Sequence, residues 1–448
     1  MFEVYKPNWE SIRSHTAPEW YLNAKFGIFL QWGLYAVPGF ASTKYPFQSI
    51  PFEEEWFREN AFSEYYQNGL RIEGSASWRH HRDTYGEHFP YENFKDMFTC
   101  ENWDPNAWAQ EFKDCGARYV VLTTKHHEGY NMWPSEYNDF NCVQSGPHRD
   151  LMGELNRAVT ALGMRMGAHY SGHWDWRFTK QPMTTMKGLG WPDFGVQTYA
   201  YADYAYNQLM ELIDNYRPSI LWCDNGWPLQ GETHLKHALA HYYNSVPDGL
   251  INDRWNGFAS DFSIREIEMG NISLDSKWEQ TRCIGMSYGY NRMEGEAEAI
   301  SCHDIVRLLV ETVAQNGNLM VNLGPRADGT IPELQLKRVR AIGQWLAVNG
   351  EAIYDTSIWR ERPQTKATTG EPVFFTRKGR TLYMMIDGLR DGENTVIVPF
   401  IDHCGLNVRI LNAHTAKAEM CERGIRLHIS GFRAQDHIAA IKMEGFFA

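Results

Sequence analysis

A chain of 448 residues, 43% of them hydrophobic, is long enough to bury a large core and reads as one big unit with something smaller attached, or as two to three units. A formal net charge of −12 and an isoelectric point near 5.8, with no Lys/Arg block, argue against nucleic acid as a partner. No run of about 18 apolar residues occurs, so no membrane span is expected.

In chain order, the opening MFEVYKPNWESIRSHTAPEW lacks a basic segment followed by an apolar run, so no secretory signal is read there. The 8 Cys, at 100, 115, 142, 223, 283, 302, 404 and 421, form no C-x-x-C pair. A cytoplasmic, thiol-reduced protein is the expectation, and a secreted form trimmed of its signal would read the same way. Short apolar runs then alternate with amphipathic segments, the pattern of repeated strand-helix units and a parallel sheet. Six strands are predicted: FGIFLQWG from Phe26, ARYVVLTT from Ala117, MRMGAHYS from Met164, SILWCD from Ser219, GLINDR from Gly249 and NLMVNLG from Asn318. Helices are predicted between them, among them DLMGELNRAVTALG from Asp150, YADYAYNQLMELIDNY from Tyr201 and HDIVRLLVETVAQNG from His303.

After the helix PELQLKRVRAIGQWLAVNG, from Pro332, the periodicity changes to two. EPVFFTRKGRTLYMMIDG reads as a hairpin turning near Lys378-Gly379, and TVIVPF, LNVRIL, IRLHIS and HIAAIKM follow as further strands. The polar stretch Arg360 to Gly370 reads as the linker or boundary loop. The fold expected is a (β/α)₈-like barrel over residues 1–357 and a C-terminal antiparallel β-sandwich over 358–448.

In such a barrel the chemistry sits at the carboxyl ends of the strands. There the chain carries Gln31-Trp32-Gly33, Lys125-His126-His127-Glu128, Tyr170 with His173-Trp174-Asp175-Trp176, Trp222 and Asp224, and Asn252-Asp253-Arg254-Trp255. His126-His127-Glu128 invites a metal, but H-x-x-x-H spacing is missing and adjacent histidines on an extended segment point to opposite sides. Neutral imidazoles would equally serve vicinal hydroxyls. Cys223, beside Asp224, alternates away from whatever Asp224 faces and reads as packing. No G-x-S-x-G elbow, Walker loop or G-x-G-x-x-G fingerprint stands in the required context.

What is left is a set of carboxylates in an aromatic, histidine-lined cup, the equipment of a glycosidase. Asp224, at a strand end, has the short reach and rigid base of a nucleophile. For the acid, Glu266 and Glu268 are candidates, with Glu279, Glu294 and Glu296 left open. A nucleophile and an acid/base acting together would stand roughly 5 to 6 Å apart.

The motifs resemble the α-L-fucosidases of glycoside hydrolase family 29 over nearly the whole chain. AKFGIFLQWGLYAVP from Ala24, GARYVVLTTKHHEGYNMWPS from Gly116, LWCDNGW from Leu221, NDRW at 252, GMSYGYNR at 285, NGNLMVNLGPRADGTIP at 316 and GQWLAVNGEAIYDTS from Gly343 carry the likeness. It implies a metal-free, cofactor-free enzyme that retains anomeric configuration and acts on fucosylated oligosaccharides or glycoconjugates. Carried across, Asp224 matches the nucleophile and Glu266 the acid/base, and Arg254 lies near the acid and sugar. His126, His127 and Tyr170 match hydroxyl-binding positions. Glu64 resembles a further sugar-site carboxylate, Tyr288 an aromatic beside the sugar's methyl group, and Trp222 would pack on the ring. One position departs: the family usually has His where this chain has Gln31, whose reach and dipole differ. Two alternatives follow from that departure, a fucose-binding homologue without turnover and a glycosidase for a related sugar such as α-L-galactose.

Overall fold

Eight stretches of the chain pair in one parallel sheet: β1 (Phe26–Leu30), β2 (Tyr119–Lys125), β3 (Arg165–Ser171), β4 (Ile220–Asp224), β5 (Leu250–Ile251), β6 (Ser263–Glu266), β7 (Trp278–Cys283) and β8 (Gly317–Leu323). The computed structural model describes residues 5–45, 53–184, 195–266, 274–403, 407–411 and 415–447. Strand order is β5-β4-β3-β2-β1-β8-β7-β6, so the first strand pairs with the last and the sheet curls into a barrel. Among the described residues β5 and β6 do not pair, and the barrel keeps an open seam there. Side chains bridge it instead. Asp253 Oδ1 accepts from the Ile264 amide at 3.2 Å, and Asp261 Oδ2 accepts from the Ile251 amide at 2.8 Å. The two segments flanking this seam carry Arg254 and Glu266.

Alternation along the strands sorts the side chains into two layers. Phe29, Val121, Trp222, Ile264, Cys283 and Met320 fill the barrel interior. Ile28, Leu30, Val120, Leu122, Tyr170 and Cys223 pack outward under the helices. Helices Pro105–Asp114, Leu151–Ala161, Tyr199–Tyr216 and Cys302–Ala314 precede β2, β3, β4 and β8, each started by a side-chain cap, from Asp104, Asp150, Thr198 and Ser301. Glu232–Ser245 precedes β5, and Glu333–Asn349 follows β8.

The expected count of six strands is corrected to eight. The two additions, β6 and β7, read SIRE and WEQTRC, and the middle of β7 is polar although Glu279, Gln280 and Thr281 are fully buried. Hydropathy does not see a strand whose inward position is a carboxylate with partners from distant segments.

The C-terminal strands are β9 (Ser357–Ile358), β10 (Gln364–Lys366), β11 (Pro372–Lys378), β12 (Thr381–Ile386), β13 (Gly392–Val398), β14 (Asn407–Ile410), β15 (Thr415–Cys421), β16 (Gly424–Phe432) and β17 (Ala439–Glu444). One antiparallel sheet runs β10-β11-β12-β17-β14 with β9 also on β11, and a second runs β13-β16-β15. Alternate residues Val373, Phe375, Leu382 and Met384 face Val396, Val398, Ile425 and Leu427 across the sandwich core. The hairpin between β11 and β12 turns at Gly379, with φ +57°. The stretch Arg360 to Gly370, read as linker, contains β10 paired with β11. The strand β15 escaped notice because its residues are half-buried or exposed. No helix among the described residues is long and apolar enough to cross a membrane. The seven described cysteines are free, and Cys404 lies outside the described residues.

Candidate active site

At the carboxyl ends of the barrel strands a cavity of about 120 Å³ is lined by Phe29, Gln31, Phe62, Glu64, Tyr65, His126, His127, His169, Trp222, Asp224, Asn225, Arg254, Glu266 and Tyr288. A larger groove of about 370 Å³, between helix Glu333–Asn349 and residues 435–437, carries one carboxylate, Asp436, and no partner for it in general acid/base work. The smaller cavity gathers the chemistry.

Asp224 closes β4. Its Oδ1 accepts from Arg254 Nη1 at 2.8 Å and from the Asn225 amide at 2.9 Å, while Oδ2 faces His169 Nε2 at 3.7 Å. The other guanidinium nitrogen, Nη2, reaches Glu266 Oε1 at 3.1 Å, so one Arg spans both carboxylates. Burial by itself would raise the Asp224 pKa, but His169 and Arg254 outweigh it and hold the carboxyl well below its usual range. The two carboxylates in turn keep Arg254 cationic against its own burial. Asn225 takes φ +55°, a left-handed conformation Asn tolerates, and this turn aims its Nδ2 at His127 Nε2, 3.2 Å away.

The two histidines are not on opposite sides, which corrects the expectation from an extended segment. β2 carries a register shift between Thr123 and Lys125, and the chain then turns, with Gly129 at φ +76° donating to His126 O. Both rings therefore face the cavity, stacked at 3.7 Å and 30°. The hydrogen bonds around His127 fix its tautomer. Ser171 Oγ donates to Trp174 O, so His127 Nδ1 donates to Ser171 Oγ at 2.8 Å, and Nε2 accepts from Asn225. Burial pushes His127 down to about 3 and His126 well below its usual value, so both are neutral. His126, His127 and Asp224 each present an atom within 4.8 Å of the others, the spacing of a metal site. Arg254 already neutralises the carboxylate and both His127 nitrogens are engaged, which leaves His126 as the free imidazole. The set is better suited to hydroxyl groups than to a cation.

Glu64 is buried. Its Oε2 accepts from the Gly289 amide at 2.9 Å and from Ser287 Oγ at 3.2 Å, and burial pushes it up to about 7. Gln31 Oε1 accepts from Thr123 Oγ1 at 2.7 Å. Trp222 forms the floor, between Phe29 (5.6 Å, 30°) and His169 (5.2 Å, 28°), its indole N–H donating to Glu279 Oε1 at 3.1 Å. Tyr288 packs against Phe62 at 5.9 Å.

Of the carboxylates left open for the acid, Glu266 is the one described residue on the cavity. Glu279 lies inside the barrel, bonded to Tyr21, Tyr119 and Trp222. Glu294 accepts from the Met286 and Ser287 amides and braces the loop that carries Tyr288. Glu296 is paired with Arg338. Glu268 lies outside the described residues.

The expectation for Tyr170 is corrected. Its side chain points outward, its hydroxyl donating to Gln208 Oε1 at 2.9 Å and its ring lying 4.5 Å from Lys125 Nζ. The cavity position belongs to its neighbour His169, which pairs with Trp222 in register, as Tyr170 pairs with outward-facing Cys223. Tyr65, Phe29, Phe62 and Asn225 also line the cavity without having been singled out.

The family model for alpha-L-fucosidase matches residues 2–351. An alpha-L-fucosidase of Dictyostelium discoideum is 35% identical over 377 residues, 81% of this chain and 77% of that protein. The human plasma alpha-L-fucosidase is 34% identical over 379 residues, 81% of this chain and 74% of its own length. The crystal structure of the Thermotoga maritima alpha-fucosidase in complex with fucose superimposes with a TM-score of 0.88 at 42% identity, covering 98% of this chain and 99% of that one. The matched residues include the strand ends that build the cavity, and with this fold around them the chain belongs to the alpha-L-fucosidase family of glycoside hydrolases.

Proposed function

We propose that the protein is an exo-acting, retaining α-L-fucosidase that hydrolyses terminal α-L-fucosyl residues by double displacement. The observation that carries this reading is the single guanidinium, Arg254, joining Asp224 to Glu266 at one cavity. Asp224, kept ionised, attacks the anomeric carbon and forms a glycosyl-enzyme; Glu266, more exposed at 38% against 15%, protonates the leaving oxygen and then takes a proton from the attacking water. His126, His127, Glu64 and the free amide nitrogen of Gln31 serve the sugar hydroxyls, and Trp222 with Tyr288 serves its apolar face. The small size of the cavity suits one terminal sugar, and the related Thermotoga structure holds fucose.

The test is turnover of 4-nitrophenyl α-L-fucoside. Asp224→Gly is expected to abolish it and to regain it with azide, giving the fucosyl azide of inverted configuration. Glu266→Ala is expected to spare substrates with good leaving groups and cripple poor ones. Undiminished activity of the Asp224 variant would remove that residue from the role, and sugar binding by a wild type without turnover would make the protein a fucose-binding one.

A further inference from the structure

The two oxygens of Asp224 are not equivalent. Oδ1 is held by two donors, Arg254 Nη1 at 2.8 Å and the Asn225 amide at 2.9 Å. Oδ2 has neither, and the group it faces is His169 Nε2, at 3.7 Å. His169 is buried, and its Nδ1 has no hydrogen-bond partner among the described residues. Nε2 is thus the ring nitrogen turned toward Asp224, and an N–H there points at Oδ2. The ring cannot swing away. It is stacked on Trp222 at 5.2 Å and His126 at 6.0 Å, and Phe29 lies tilted against it at 5.4 Å and 43°.

Resting on the double-displacement reading above, we infer that Oδ2 is the oxygen that bonds to the sugar and that His169, acting through it as a positioning residue, favours the second step. In that step the Oδ2–C1 bond breaks and its electron pair returns to Oδ2. Water oxygen bonds to C1, and the water proton passes to Glu266. Charge grows on Oδ2 as the bond lengthens, and an N–H dipole already aimed at it stabilises that charge; such contacts are commonly long in an empty site and shorten at the transition state. In the first step the same dipole stabilises the carboxylate before it attacks, so it does not help there. His169 therefore keeps the covalent intermediate from being too stable to turn over.

The experiment compares wild type, His169→Phe and His169→Gln with an aryl α-L-fucoside of good leaving group, for which breakdown of the intermediate limits kcat. Phe keeps a flat ring on Trp222 and removes the donor; Gln restores one. The Phe variant is expected to lose on the order of tenfold in kcat with KM falling in parallel, so that kcat/KM holds within about threefold or rises, and intact-mass spectra should show enzyme carrying one deoxyhexosyl group. The Gln variant should regain most of kcat. A loss in kcat/KM as large as that in kcat, unchanged kinetics, or a Gln variant no better than Phe overturns the inference. His169→Met supplies the same comparison if the Phe variant does not fold. Wild type treated with 2-deoxy-2-fluoro-α-L-fucosyl fluoride separates the two levels. A label on Asp224 with no kinetic split in the variants defeats only the role of His169, and no label at all defeats the double-displacement reading beneath it.

Discussion

Asp224 and Glu64 line one cavity, and burial raises the cost of charge at both, yet they end in opposite states. Arg254 and His169 reach Asp224 and none of the hydrogen bonds to Glu64 comes from a cation: its donors are an amide and a hydroxyl. The Arg254 cation together with the His169 contact outweighs desolvation in the first case, and an amide and a hydroxyl fail to in the second. That difference has a pH signature in stability. Between the ordinary carboxyl value of 4.5 and about 7, the folded protein holds a proton at Glu64 that the unfolded chain has released, so stability falls as pH rises through that window. Glu64→Gln removes the titration while keeping an oxygen to accept from the Gly289 amide. Relative to wild type it is expected to gain about 1–3 kcal/mol between pH 5 and pH 8, read by thermal unfolding at both values. An equal difference between the two proteins at both pH values would show that Glu64 does not titrate there. The placement of His169 was not read from the sequence, which put Tyr170 there, because it depends on the register between β3 and β4. The alternation that turns Cys223 away from Asp224 also turns Tyr170 away, because the two are paired in register, and puts His169 beside Trp222. The stacked pair His126-His127 was not legible, since a strand irregularity and a turn decide where the second ring goes.

At the scale of elements, strands with apolar runs announced themselves and β7 did not. WEQTRC reads as a polar loop until its inward residues are matched with groups from three other segments. Glu279 Oε2 accepts from Tyr21 and Tyr119 hydroxyls at 3.0 and 2.5 Å, and Oε1 accepts from the Trp222 indole at 3.1 Å. These contacts tie the site's floor to the far end of the barrel, and they are long-range in sequence, which is why no local pattern reveals them. Glu279→Ala would leave three buried donors without an acceptor, each worth about 1–3 kcal/mol, and is expected to cost on the order of 3–6 kcal/mol in urea unfolding. It should also raise KM, because Trp222 loses its tether. Glu279→Gln can still accept from the indole and donate to the phenols, whose hydroxyls can turn to accept, so a cost near 1–2 kcal/mol with KM little changed is expected. Equal losses for the two substitutions would mean that the carboxylate's charge, rather than its hydrogen-bonding shape, holds β7 in the barrel.

On the scale of the whole molecule, the six-stranded C-terminal sheet is buried on both faces. Phe375, Leu382 and Met384 look into the sandwich core, while Phe374, Tyr383 and Met385 join the cluster that lies between the barrel sheet and its helices. Polar contacts reinforce the joint: Trp345 Nε1 donates to Ile438 O at 3.0 Å, Thr376 Oγ1 donates to Ala352 O at 2.7 Å, and buried Asp387 pairs with His303 at 2.9 Å. The change of period after Gly350 is legible in the sequence, but two-faced burial of the larger C-terminal sheet depends on which residues the helices Cys302–Ala314 and Glu333–Asn349 present, and that is tertiary information. A shared core of this kind couples the two parts, so calorimetry is expected to show one unfolding transition. Trp345→Ala, which empties a buried indole at the joint, should cost about 3–5 kcal/mol and lower that single transition by about 3–5 °C without splitting it. Two resolved transitions, or a shift in only one of them, would mean that the sheets fold independently of the barrel and that the contacts across the joint carry little of its stability.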